Sequence, residues 1–76
     1  MTEQELLQRL DNDYTYHPPL PGQLERYQEI RKQARDFAGK LVKMVPQSRE
    51  LSLALTYLEQ ATMIANAGIA RNEVQS

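Results

Sequence analysis

The stretch from Leu51 to Asn72, LSLALTYLEQATMIANAGIARN, constrains this chain more than any other. Leu51, Leu53, Leu55 and Leu58 fill its first half. Ala61, Ala65, Ala67, Gly68 and Ala70 fill the second, with Met63, Ile64 and Ile69 among them. Wound as a helix, it carries apolar or small residues on nearly every face, and such a helix cannot leave a side in water. Small residues let a second backbone come close. The stretch is therefore expected to be the central helix of an oligomer, with the rest of the chain covering it and facing a ligand.

Chain length points the same way. With 76 residues there is enough for one domain. A single core below roughly 70–80 residues seldom supplies more than about 3–5 kcal/mol. Disulfides, a metal or self-association make up the difference in small domains. There is no Cys, which rules out a disulfide and a thiolate metal site and fits a reducing compartment. The one His, His17, cannot build a zinc site without several converging carboxylates. Self-association remains. No metal and no cofactor is expected.

Net charge is −1, with nine Lys and Arg against ten Asp and Glu, which argues against a DNA or RNA partner. A small anionic ligand held by a few local cations is still compatible. No run of about 18 apolar residues is present, so no membrane span is expected. The opening MTEQELLQRL is acidic and polar, unlike a secretion signal. The expected location is the cytoplasm.

Periodicity and breakers divide residues 1–76, read as one helical-hairpin domain, into four segments. Residues 1–10 read as a short helix, started by a Thr2/Glu5 capping box and bearing Leu6, Leu7 and Leu10 on one face. Three leucines over about two turns do not hold a helix alone, so it must dock on something. Residues 11–22, DNDYTYHPPLPG, read as an extended arm, because Pro18, Pro19 and Pro21 remove donors and push their predecessors out of the helical region. Residues 23–45 read as a long helix with Leu24, Tyr27, Ile30, Ala34, Phe37, Leu41 and Met44 on one seam, ended by Pro46. Residues 48–72 form the last helix, capped by Ser48, with Leu51, Leu55, Leu58, Thr62, Ala65 and Ile69 facing that seam. The short link forces the long helices antiparallel. Residues 74–76 read as a frayed end. The fold class is all-α: short N-terminal helix, Pro-rich arm, then a long antiparallel helical hairpin assembling into a homo-oligomer.

Catalytic constellations are missing: no Cys nucleophile, no Gly-rich phosphate loop, and a lone His flanked by proline. The reading is therefore not an enzyme. Three features suit an anionic, ring-bearing ligand. Tyr14, Tyr16 and His17 are rings that stack on bases. Arg31, Lys32 and Arg35 are cations, and the guanidinium fork matches phosphate oxygens. Asn66 and Arg71 lie among small residues where copies would converge on an axis. On spacing alone each has a bland counterpart: rings covering the hairpin, a solvated charged face, a register-setting hydrogen bond.

Taken together, these residues resemble a known family. Tyr16-His17-Pro18-Pro19, Gln23, Arg26-Tyr27, Ile30-Arg31, Pro46, Ser48-Arg49-Glu50, Ser52, Ala54-Leu55, Leu58-Glu59, Met63, Ala65-Asn66-Ala67 and Ile69-Ala70-Arg71 are similar to the phage anti-CBASS type 2 cyclic-nucleotide sponges over about residues 14–73. Ile64 departs from the pattern, standing where an aromatic residue is expected. The resemblance implies a helical homohexamer. It would sequester the cyclic di- and trinucleotide messengers of bacterial CBASS immunity without cleaving them, in the cytoplasm of the infected cell. It also implies a cyclic dinucleotide pocket between paired subunits, with Tyr16 and Arg31 matching the family's tyrosine and basic residue. Lys32 is the alternative cation, and His17 belongs to the same arm. Cyclic trinucleotides would take separate sites at a three-fold axis, with Arg71 and Asn66 as candidates. The rival reading is a helical oligomeric structural or protein-interaction module with no nucleotide ligand. A small enzyme degrading such messengers is a further rival.

Overall fold

The computed structural model describes residues 2–73. Among them the chain is helical without a strand: α1 Glu3–Tyr14, α2 Gln23–Met44 and α3 Arg49–Asn72. The all-helical expectation holds. The frayed end expected at 74–76, and Met1, lie outside the described residues.

The first helix begins as its cap predicts. Thr2 Oγ accepts from the Glu5 N–H at 3.1 Å. The Glu5 carboxylate accepts from the Thr2 hydroxyl at 3.1 Å, in place of the backbone N–H that a full capping box would use. Its end differs from the sequence reading. Helix α1 runs to Tyr14, so Asp11–Tyr14 leave the expected 11–22 arm and only residues 15–22 are non-helical. Nothing in Asp11–Tyr14 breaks a helix, an Arg9–Asp13 ion pair at 3.6 Å spans one turn, and the proline restriction reaches back only to His17.

The arm closes on a tight turn. Gln23 N–H donates to the Leu20 carbonyl at 3.1 Å, with Pro21 and Gly22 at the two corners. Gly22 has φ 84° and ψ −12°, the left-handed geometry of the third position of a type II turn. Glycine takes this conformation without the Cβ clash that any other residue meets.

Helices α2 and α3 pack together, joined through Val45–Ser48. Ser48 Oγ accepts from Leu51 N–H at 3.1 Å and the hydroxyl donates to the Pro46 carbonyl at 2.9 Å, which starts α3 where the sequence places it. The seam differs in detail. On α2 the sheltered positions are Gln23, Tyr27, Ile30, Ala34, Ala38, Leu41 and Val45; on α3 they include Leu51, Leu55, Leu58, Thr62, Asn66 and Ile69. Leu24, Phe37 and Met44, expected on the seam, are exposed, and Ala65 is exposed where Asn66 turns inward. Both seams repeat every eleven residues, which comes within about 20° of three full turns. The two helices therefore stay in register while nearly straight.

Little of this is enclosed. Among the described residues only Leu51 and Gln23 are buried. The radius of gyration is 16.1 Å, against about 11 Å for a compact chain of this length.

Candidate functional site

Gln23 anchors the open end of the hairpin. Its amide is 2 % exposed and bonds in four directions. Oε1 accepts from Leu20 N–H at 2.8 Å and from the Tyr27 hydroxyl at 3.3 Å. Nε2 donates to the Glu73 carboxylate at 2.7 Å and to the Ile69 carbonyl at 3.5 Å. Arg26 meets the same carboxylate with a fork, Nη1 to Oε2 at 2.6 Å and Nη2 to Oε1 at 2.5 Å. Those donors, Arg26 first and Gln23 second, hold the Glu73 carboxyl down at about 2, and the same contact raises Arg26. The cluster ties the arm, the start of α2 and the end of α3 into one piece, and so fixes where the candidate ligand residues stand.

Arg31 lies two turns along α2 from that cluster. It lines an open groove of about 1130 Å³ between α2 and α3. The groove has a floor of Ala34, Ala38, Leu55 and Leu58 and a rim that also carries Arg35, Lys40 and Lys43. Lys32, the alternative cation, is exposed but is not part of that groove. Neither Arg31 nor Lys32 forms an ion pair among the described residues.

Tyr16 stands in the arm at 80 % exposure, with no cover from its own hairpin. His17 is half-buried, and its Nε2 lies 2.8 Å from the Asn12 carbonyl. A carbonyl only accepts, so Nε2 is the donor in this bond and Nδ1 is not engaged by it. The bond folds the arm back against the end of α1.

Arg71 and Asn66 are not brought together within one copy. Five residues apart on α3, they point about 140° from each other. Arg71 Nη1 lies 3.6 Å from Asp13 Oδ1, a contact that sets the end of α1 beside the end of α3. Asn66 turns inward, and its Oδ1 is buried without a hydrogen-bond partner among the described residues.

The family model described as "Acb2/Tad1, hairpin domain" matches residues 7–70. The chain belongs to this family. The match spans α2, the arm, most of α1 and nearly all of α3, and so contains Tyr16, His17, Arg31, Lys32 and Asn66; Arg71 lies one residue beyond it. It bears out the resemblance to the anti-CBASS type 2 proteins, a family of binding proteins of the sponge kind. Comparison with curated proteins and with solved structures finds no match. Within this Acb2/Tad1 hairpin, Glu73 and Asp13 were not singled out from the sequence, and Arg26 entered only through the resemblance. Antiparallel pairing was the available signal for Glu73 and Arg26, since it sets the first turn of α2 against the last turn of α3.

Proposed function

We propose that this Acb2/Tad1-family chain is a phage anti-defence protein that binds cyclic oligonucleotide second messengers and holds them intact. CBASS effectors in the cytoplasm of the infected bacterium are then not switched on. Membership of the family over residues 7–70 carries this reading. The protein works as a homo-oligomer, a hexamer by analogy with the family. The large exposed apolar surface supports association of copies.

A cyclic dinucleotide has two bases, two phosphates and near two-fold symmetry, and a two-fold subunit interface presents the same patch twice. Tyr16 supplies the stacking ring and Arg31 the phosphate partner. Arg31 is favoured over Lys32 because it borders the groove. In the neutral ring, Nδ1 of His17 is the acceptor left for a base amino group. Stacking contributes about 1–3 kcal/mol per base and a charge-assisted hydrogen bond about 1.5–3 kcal/mol. Doubled across an interface, these come to about 5–12 kcal/mol before association costs, so nanomolar binding, about 12 kcal/mol, also draws on the remaining contacts of the pocket. A cyclic trinucleotide meets Arg71 and Asn66 from several copies around a shared axis, since one copy does not bring them together.

Calorimetry with cyclic di- and trinucleotides tests the assignment. Tyr16→Ala and Arg31→Ala are expected to weaken dinucleotide binding at least tenfold each and to spare trinucleotide binding, with Arg71→Ala the reverse. Unchanged affinity in both Tyr16→Ala and Arg31→Ala would refute the dinucleotide site. Chromatography of the ligand released by denaturation separates sponge from hydrolase: intact ligand is expected. No binding to any cyclic nucleotide would leave the structural-module reading.

A further inference from the structure

We propose that the groove between α2 and α3 is the seat of helix α1 from a second copy of this chain. Helix α1 is an unpartnered element. Leu6, Leu7, Leu10 and Tyr14 form a stripe along it, and all four are exposed, Tyr14 at 86 %. Only α2 and α3 pack on each other extensively, while α1 reaches the hairpin through the 3.6 Å Asp13–Arg71 contact. A short helix with so little support does not persist in water without docking its apolar stripe.

The groove fits that stripe in three respects. Its length matches: twelve residues of α1 span about 18 Å, and so does α2 from Arg31 to Lys43. Its floor is apolar, with the small Ala34 and Ala38 beside Leu55 and Leu58, while the Arg35 guanidinium lies beside Gly39. Its charge is complementary. Helix α1 carries Glu3, Glu5, Asp11 and Asp13 against one Arg9, whereas the rim sets Arg31, Arg35, Lys40 and Lys43 against Asp36 and Glu59. In this arrangement α1 of the same chain does not fill the groove: its last turn meets Arg71 at the open end of the hairpin, and none of its residues lines the groove. The proposal shares with the proposed function the premise that copies associate and one residue, Arg31, which stands at the end of the groove nearest the arm. Its readouts involve no nucleotide, so either can fail alone.

The absence of Cys gives a clean background for a cross-linking test. A Leu10→Cys chain and an Ala38→Cys chain of different tag mass are co-expressed and oxidised. A Leu10→Cys and Leu24→Cys pair, with Leu24 outside the groove, serves as control. The mixed disulfide is expected several-fold above the control. A mixed product no greater than the control, or a predominance of Leu10–Leu10 or Ala38–Ala38 position homodimers, would overturn the proposal. Independently, Leu7→Glu with Leu10→Glu should lower the oligomer mass in light scattering while circular dichroism still reports the α2/α3 hairpin. An unchanged mass would also overturn it.

Discussion

Gln23 shows how much one polar side chain can organise in a small helical protein. A buried amide with all its partners in place is stabilising, and one stripped of them is costly. Gln23→Leu removes the acceptor for Leu20 N–H and one donor to Glu73, and is expected to destabilise the fold by about 1–3 kcal/mol in urea or thermal unfolding. At the other end of the residue scale, Asp13 places a carboxylate against the cation proposed for trinucleotides. Like charge opposes an incoming phosphate, so Asp13→Asn should tighten trinucleotide binding severalfold in calorimetry and leave dinucleotide binding unchanged. The exposed rings and cations, Tyr16, Arg31 and Lys32, were legible as candidates from residue type and resemblance. The partners of Arg71 and Glu73 were not, because those contacts join residues more than 40 positions apart and no local spacing encodes them.

Among the elements, the arm was read from its prolines as residues 11–22, and only residues 15–22 of it are non-helical. Gly22→Ala forces a Cβ into the left-handed region and should cost about 1–2 kcal/mol, seen as a lower melting temperature with the same helical content. The hairpin's open end depends on an ionised Glu73. Its carboxyl sits at about 2 in the folded chain against an ordinary 4.5, so the contribution is fully present above pH 4.5 and is lost as pH falls toward 2. Hydrogen exchange in the last turn of α3 should accelerate across that window, and Glu73→Gln should remove the added pH dependence. The end of α1 was misread because the prolines were taken to hold all of residues 11–22 extended, whereas their restriction reaches back only to His17. The seam shifted for a different reason: Leu24 and Phe37 fit a spacing of three and four as well as Gln23 and Ala38 do, and hydrophobicity favoured the wrong pair.

For the whole molecule, the decisive quantity is exposed surface. Its 6498 Å² exceeds the roughly 4800 Å² expected of a compact 8.8 kDa monomer, and leucines, Phe37, Met44, Met63 and Ile64 are among the exposed residues. Association makes stability depend on protein concentration. The melting temperature is expected to fall by several degrees on hundredfold dilution, and a constant value with a monomer mass in sedimentation would sink the oligomer. The eleven-residue repeat of both seams also acts as a reading frame for change. Inserting a single residue into either long helix swings everything beyond it by about 100° and turns its inward side chains to water. Descendants of this chain that grow or shrink here are thus expected to do so in steps close to whole turns, such as about seven, eleven or eighteen residues, and in both arms of the hairpin together.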